Sequence, residues 1–196
     1  MSVFSNKKTV IFNIAVTVVL MAMNVAMSSF SVPVPGGHLY LNDVVICLAS
    51  ILLGPVEAFM VGGVGAFLGD LFFYWIKVLS TRSIGLGTFI SDFFYPTPMF
   101  VSLVTHGLQA VIISLFVHKF MKNKPHLGSI IGVAVGAVIM VVGYSLGRAF
   151  IYSTPEYAIV KLPFQILQAV FGAVFGTVLA WRCGLRKLYL RLVAGK

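Results

Sequence analysis

Acidic residues are scarce in this sequence. Five Asp and Glu stand against fourteen Lys and Arg among 196 residues, which gives a formal net charge of +9 and a charged fraction of only 10%. A soluble domain normally carries about 25% charged residues, whereas 59% of this chain is hydrophobic. So few charges cannot cover the surface of so apolar a globule. We therefore expect most of the surface to face lipid, which excludes an ordinary soluble domain.

Sequence motifs for catalysis and for metal or nucleotide binding are also missing. The chain has no GxxxxGK[ST] phosphate loop, no HExxH or comparable metal set, and no nucleophile arrangement at an elbow-type turn. Its four histidines are dispersed. Cys47 and Cys183 lie in or beside apolar segments, and we interpret them as packing residues. We expect no enzymatic activity, no cofactor and no metal site.

Long apolar runs are what the sequence has in abundance. A spanning helix needs roughly 20 mostly apolar residues, and the pattern predicts six spans, at about residues 9–30, 41–53, 56–76, 99–120, 127–152 and 158–181. The second would cover only roughly 20 Å. The intervening segment 31–40, SVPVPGGHLY, has two prolines and two glycines and cannot be a continuous helix. The predicted fold is one all-α membrane domain over residues 1–196, a bundle of six transmembrane helices.

Lysine and arginine gather on one side of this predicted bundle. That side holds the larger basic set, Lys7, Lys8, Lys119, Lys122, Lys124, Arg182, Arg186, Lys187, Arg191 and Lys196. The other side holds Lys77, Arg82 and Lys161. The positive-inside rule then places both termini in the cytoplasm, with the basic, amphipathic tail along the anionic inner leaflet. Membrane topology thus accounts for the net charge, and we expect no nucleic-acid partner.

Polar groups inside the predicted spans are the candidate binding residues. A central Arg or Asp costs roughly 2.5–3.5 kcal/mol on insertion scales, and the set comprises Asp43, Asp70, His106, Gln109, Arg148, Gln165 and Gln168. Several fall in the outer half of the membrane, as an outward-open pocket requires. The alternative is that each makes an interhelical hydrogen bond or, for the two aspartates, a helix cap. Arg148 requires an acidic partner, backbone carbonyls or a ligand, and Asp70 is the nearest acid by depth.

Small residues four positions apart form a second pattern. They occur at Gly65 and Gly69, at Gly172 and Gly176, and at Ala22 and Ala26. This spacing lets helix backbones approach closely. Two interpretations follow: packing within the bundle, or docking to another membrane subunit.

Two stretches carry a resemblance to a known family. Residues 37–55, GHLYLNDVVICLASILLGP, run on into GGVGAFLGD at residues 62–70, and together they resemble the substrate-binding S components of energy-coupling factor (ECF) vitamin transporters. The group for pyridoxine-like and hydroxymethylpyrimidine-like substrates is the most similar. Asp43 and Asp70 match its two acidic positions, Gly54-Pro55 its LLGP turn, and Tyr95-Pro96 its YP before helix four. LPFQILQ at residues 162–168 matches its LPFNLLQ.

The resemblance covers nearly the whole chain and has consequences for function. It implies six helices, a deep pocket closed by loops, no catalysis, and a location in the bacterial cell membrane. It also implies a transmembrane T subunit and two cytoplasmic ATPases as partners, with Ala22 and Ala26 as the T-subunit docking surface. His106 and Gln109 stand where the group has Lys and Glu, and Arg148 follows Gly143-Tyr144 where an acidic or neutral residue is expected.

These departures shift the expected substrate. Losing a carboxylate and gaining a cation favours a molecule with a carboxylate, a phosphate or several acceptor atoms, and pantothenate or folate also fits. The predicted substrate-binding set is the seven polar residues above together with Tyr144. We thus expect a vitamin- or precursor-binding subunit of an ATP-driven importer. The alternatives are a structural subunit of a membrane complex without its own ligand, and a stand-alone transporter or intramembrane enzyme.

Overall fold

A series of apolar helices makes up most of the fold. The computed structural model describes residues 3–35, 37–72 and 98–194, with the backbone alone for residues 3–8 and 37. In chain order the helices are α1 Val3–Ser29, α2 Asn42–Leu52, α3 Pro55–Phe72, α4 Pro98–Phe120, α5 Pro125–Tyr152, α6 Pro155–Trp181 and α7 Leu185–Val193. Five of these described helices, α1 through its part Thr9–Ser29 and α3 to α6, are long and apolar enough to cross a membrane. The chain is a multi-pass membrane protein.

The predicted spans agree with these helices at their carboxyl ends. α4, α5 and α6 end where predicted but begin one to three residues earlier, at Pro98, Pro125 and Pro155. Proline fits the first helical position because its fixed φ suits a helix and its missing N–H needs no partner there. The helix α2 is shorter than a full span. Residues 73–76 of the predicted third span, the predicted loop 77–95 and the Tyr95-Pro96 motif lie outside the described residues.

Residues 31–34 and 37–40 form two paired strands of a β-hairpin, which the all-α prediction omitted. β1 Ser31–Val34 pairs antiparallel with β2 Gly37–Tyr40, in the register Ser31↔Tyr40 and Val34↔Gly37. The prolines of this segment prevent a helix, and the prediction of a non-helical segment is confirmed. The strands lie between α1 and α2 in sequence, and β2 is hydrogen-bonded to Lys161 and Gln168 of α6.

The glycine patterns of α3 and α6 serve packing inside the bundle. A Cβ added at Gly65 would lie 2.8 Å from Asn24 Nδ2 of α1, and one at Gly176 would lie 2.6 Å from Cys47 Cβ of α2. At both positions the neighbouring helix therefore leaves no space for a side chain larger than that of glycine. By contrast, Ala22 and Ala26 are exposed on α1. The internal-packing interpretation is confirmed for the glycines and does not apply to the alanines.

The two cysteines differ in environment. Cys47 is buried, which matches the predicted packing role, whereas Cys183 is exposed just after α6. The packing interpretation of Cys183 is wrong, because its position at the helix end leaves the side chain outside the bundle.

The orientation of the bundle can be tested at the short turns on either side of α5. Asn123 and Ser153 are both exposed and lie at opposite ends of this helix. We expect a cysteine at Asn123 to react with an impermeant thiol reagent only from the cytoplasm, and one at Ser153 only from outside. Cys183, which is exposed, is replaced by Ser in both variants so that only the new cysteine reacts, and in the unchanged chain it is expected to label from the cytoplasm, as Asn123→Cys does. Labelling of both positions from one side of intact cells would contradict the predicted topology.

A candidate substrate-binding cavity

A cavity of about 190 Å³ lies inside the bundle beside the hairpin. Strand β2 and five helices contribute to its wall, and the described lining residues are His38, Tyr40, Asn42, Asp70, Pro98, His106, Met140, Tyr144, Arg148, Tyr152, Lys161, Gln165 and Gln168. Aromatic rings and polar groups both line this space. Such a combination of apolar surface with a few directed polar groups is typical of small-molecule sites.

Two basic side chains face the cavity from α5 and α6. Lys161 is only 2% exposed, and its ammonium donates a hydrogen bond to the carbonyl oxygen of His38. The guanidinium carbon of Arg148 lies 5.6 Å from the centroid of the Tyr152 ring. Arg148 begins a π-helical turn, Arg148–Tyr152, that ends α5 and presents both of these residues to the cavity. π-turns within α-helices occur frequently at functional sites.

One carboxylate, that of Asp70, faces the cavity from the described part of the wall. Ser102 Oγ donates a hydrogen bond to Asp70 Oδ2, and Tyr144 Oη donates to Ser102 Oγ at 2.6 Å. This chain of hydroxyl groups joins α3, α4 and α5 and satisfies one carboxylate oxygen from within the protein. Asp70 is therefore held in place without a ligand.

A second network lies behind the cavity wall and centres on Asp43, which is 1% exposed. Gln168 Nε2 donates to Asp43 Oδ2 at 2.6 Å, and Gln109 Nε2 donates to Asp43 Oδ1 at 3.1 Å. Gln109 Oε1 in turn lies 2.7 Å from His106 Nδ1. The carboxylate thus connects α2 to both α4 and α6, and its charge is balanced by donors rather than by solvent.

The hairpin is attached to α6 by its backbone. The Tyr40 N–H donates to Gln168 Oε1 at 3.0 Å, and the His38 carbonyl accepts the hydrogen bond from Lys161. Burial, and then the nearby Asp70 charge, raise the pKa of the Tyr40 hydroxyl to about 12. Its hydroxyl therefore stays protonated at neutral pH and can donate a hydrogen bond into the cavity.

The structure brings six of the eight predicted binding residues to one cavity: Asp70, His106, Tyr144, Arg148, Gln165 and Gln168. Asp43 and Gln109 do not line it, because the side chains of both are hydrogen-bonded within the network behind the wall. Gln165 also lies 3.3 Å from the carbonyl oxygens of Met140 and Val141, so the predicted interhelical role applies to it as well. The role of the set in binding a substrate stays a prediction.

Sequence reasoning missed Lys161 and the hairpin residues. Lys161 was assigned to the outer surface as a topology charge, yet it is buried in the wall of the cavity. A signal for it exists, because Lys161, Gln165 and Gln168 follow the i, i+4, i+7 spacing of one helix face. The hairpin contributes a backbone carbonyl and a backbone N–H. These groups do not depend on the side chain, so the sequence gives no sign of this contribution.

A protein family and two known proteins are similar in sequence to this chain. The family described as "ECF-type riboflavin transporter, S component" matches residues 8–85 and 82–184 of this chain. A Pyrococcus woesei protein described as an "Uncharacterized protein in gap 3'region" is 30% identical over 158 residues, covering 79% of this chain and 89% of its own. The Lactococcus lactis "Thiamine precursor transporter HmpT" is 30% identical over 154 residues, covering 77% of this chain and 74% of its own.

Proposed function

Because the chain belongs to the family of ECF-type riboflavin transporter S components, we propose that it captures a small water-soluble vitamin or vitamin precursor for ATP-driven uptake. The cavity beside the hairpin is the proposed site. One observation supports this most: a cavity within the bundle has two basic side chains and the Asp70 carboxylate on its described wall. Charged groups inside a membrane protein are costly and typically mark a substrate path.

The size of the cavity favours a small ligand. Pockets for drug-sized molecules hold about 300–1,000 Å³, and this one holds about 190 Å³ within the described wall. A single substituted ring, such as the hydroxymethylpyrimidine or pyridoxine type, suits that space better than a three-ring flavin does. The thiamine-precursor transporter among the relatives favours the same choice.

The charges indicate where such a ligand points. Arg148 and Lys161 favour an anionic or acceptor-rich substituent, such as a hydroxyl, carboxylate or phosphate group, on the α5–α6 side. Asp70, which faces the cavity from α3, favours a hydrogen-bond donor on the ligand. Tyr40 and Tyr144 supply aromatic surface for a flat ring.

The direct test is to identify the bound molecule. We expect the detergent-purified protein to retain a small heteroaromatic compound that mass spectrometry detects after denaturation. Binding is then measured by calorimetry with hydroxymethylpyrimidine, pyridoxine and riboflavin. Protein that is folded but binds none of these and releases no small molecule would favour the structural-subunit alternative.

Uptake needs partners, which in this proposal are a transmembrane T subunit and two cytoplasmic ATPases in a bacterial cell membrane. Ala22 and Ala26 are the proposed docking surface, because both are exposed and small residues let a second helix approach closely. Uptake that persists without any ATPase would favour the stand-alone transporter.

We expect Ala22→Leu or Ala26→Leu to abolish ATP-driven uptake while leaving ligand binding by the isolated chain unchanged. The added side chains would hold a partner helix away, and neither alanine is among the residues that line the cavity. Ala134→Leu is the matched control, because Ala134 is an exposed alanine on α5. A loss of ligand binding, or an equal loss of uptake in the control, would contradict the docking role.

A further inference from the structure

With Asp43 as a carboxylate, the network behind the cavity wall takes one arrangement of donors and acceptors. A backbone N–H can only donate, so the Tyr40 N–H at 3.0 Å requires the oxygen of the Gln168 amide to face it. The Gln168 NH₂ group must then face Asp43, which it reaches at 2.6 Å. The main chain therefore sets the orientation of this amide.

The same reasoning extends from Asp43 to the cavity. An ionised carboxylate only accepts, so Gln109 also turns its NH₂ group toward Asp43 and its oxygen toward His106. The amide oxygen can bind His106 Nδ1 only if that nitrogen carries the proton. His106 Nδ1 also lies 3.8 Å from Asp43 Oδ1, and a negative charge there favours a proton on this nitrogen.

We propose that Asp43 acts through Gln109 to hold His106 as the Nδ1–H tautomer, so that its Nε2 is a hydrogen-bond acceptor facing the substrate. His106 lines the cavity while its Nδ1 is engaged in the network, and Nε2 is the ring nitrogen left for a ligand. Asp43 and Gln109 are positioning residues, and His106 is the specificity-determining one.

The acceptor defines a substrate class. The ligand carries an N–H or O–H donor on its ring at the His106 side and an acceptor-rich or anionic substituent at the Arg148 and Lys161 side. An aminopyrimidine with a hydroxymethyl or phosphorylated substituent has this polarity. This identification of the ligand rests on the proposed function. The hydrogen-bond relay, by which Asp43 sets the tautomer of His106 through Gln109, rests on the contacts of the network alone.

The first experiment reads the imidazole directly in ligand-free protein. With ¹⁵N-labelled histidine, long-range ¹⁵N–¹H spectra separate protonated from unprotonated ring nitrogens, and His106→Gln identifies the signal among the four histidines. We expect a protonated Nδ1 and an unprotonated Nε2. An Nε2–H tautomer or a doubly protonated ring in the wild-type protein would overturn the proposal, whether or not any ligand binds.

The second experiment inverts the relay. In Asp43→Asn the main chain still fixes Gln168, so the new amide must turn its oxygen to Gln168 and its NH₂ group to Gln109. Gln109 then flips, and His106 must accept at Nδ1 and carry its proton on Nε2. We expect the tautomer to switch in this variant and to stay unchanged in Glu156→Gln, which removes an exposed acid in the first turn of α6, away from the cavity lining. Persistence of the Nδ1–H form in folded Asp43→Asn would overturn the relay.

Ligand binding gives an independent readout. We expect the wild-type protein to bind amino-bearing hydroxymethylpyrimidine about tenfold or more tightly than its methoxy counterpart, which lacks the donor. Asp43→Asn should reduce or reverse that preference. Equal affinities in the wild-type protein would contradict the acceptor role of His106. If neither compound binds, the aminopyrimidine in the proposed function is wrong, and the imidazole spectrum still decides the relay.

Discussion

Replacing Gly172 by valine should destabilise the protein severely. A Cβ at this position would collide with Asp43 Cβ and would lie 3.0 Å from the Asp43 backbone carbonyl carbon. Overpacking costs about 1–3 kcal/mol where side chains can adjust, and more where backbone must move. In a protein of this size 3 kcal/mol corresponds to roughly 6–12 °C in the unfolding midpoint. We expect a loss of at least that size, measured by thermal unfolding in detergent.

The matched control is Val174→Leu on the same helix. Val174 is 51% exposed on the lipid-facing side of α6, so an added methylene meets no protein there. We expect an unchanged midpoint. Equal midpoints for Gly172→Val and the wild-type protein would show that α2 and α6 are not in the close contact that the glycine pattern implies.

Removing the positive charge of Arg148 should weaken ligand binding strongly while leaving the protein folded. Arg148→Gln keeps a polar side chain but removes the always-charged, forked guanidinium suited to carboxylate or phosphate. Truncating one partner of a buried charge pair costs about 2–5 kcal/mol, which corresponds to roughly 30-fold to several-thousand-fold in Kd. Calorimetric titration with the co-purified compound measures the change. Arg186→Gln on α7 is the control, because Arg186 lies over Trp181 and is not among the cavity residues.

A double-mutant cycle separates this role from a structural one. If Arg148 chiefly neutralised Asp70, the single change would lower the folded yield, and Asp70→Asn would partly restore it. The hydrogen bond from Ser102 to Asp70 favours the ligand role, because the carboxylate already has a donor. Unchanged affinity and unchanged yield in Arg148→Gln would contradict both roles.

Hydropathy predicted the helices well because a segment that crosses lipid must be apolar over roughly 20 residues, and composition over such a length is easy to recognise. The helices α4, α5 and α6 begin earlier than hydropathy predicts, and each has a proline at its first position. This local signal for a helix start does not enter a hydropathy average. The cavity residues were predicted for a related reason: a polar side chain within a span needs a partner or a function.

The sequence does not show which polar side chains reach the cavity and which lie behind its wall. Asp43 and Asp70 are both acids near helix ends in the sequence. In the structure Asp43 accepts hydrogen bonds from two glutamines, whereas Asp70 faces the cavity. Which of these occurs depends on the approach of α6 to α2 at Gly172, a tertiary contact. The contribution of β2 was equally hidden, because it is made by main-chain atoms that every residue carries.

The hydrogen bond between the Tyr40 N–H and Gln168 has a consequence for the timing of recognition. Should the hairpin move away from α6, Gln168 would lose this donor, whereas the Asp43 carboxylate would still accept hydrogen bonds from Gln168 and Gln109, and Gln109 would still hold His106. Opening the cavity on the hairpin side would therefore leave the polarity of the imidazole unchanged. An entering molecule then meets its acceptor before the strand returns, so that selection precedes closure.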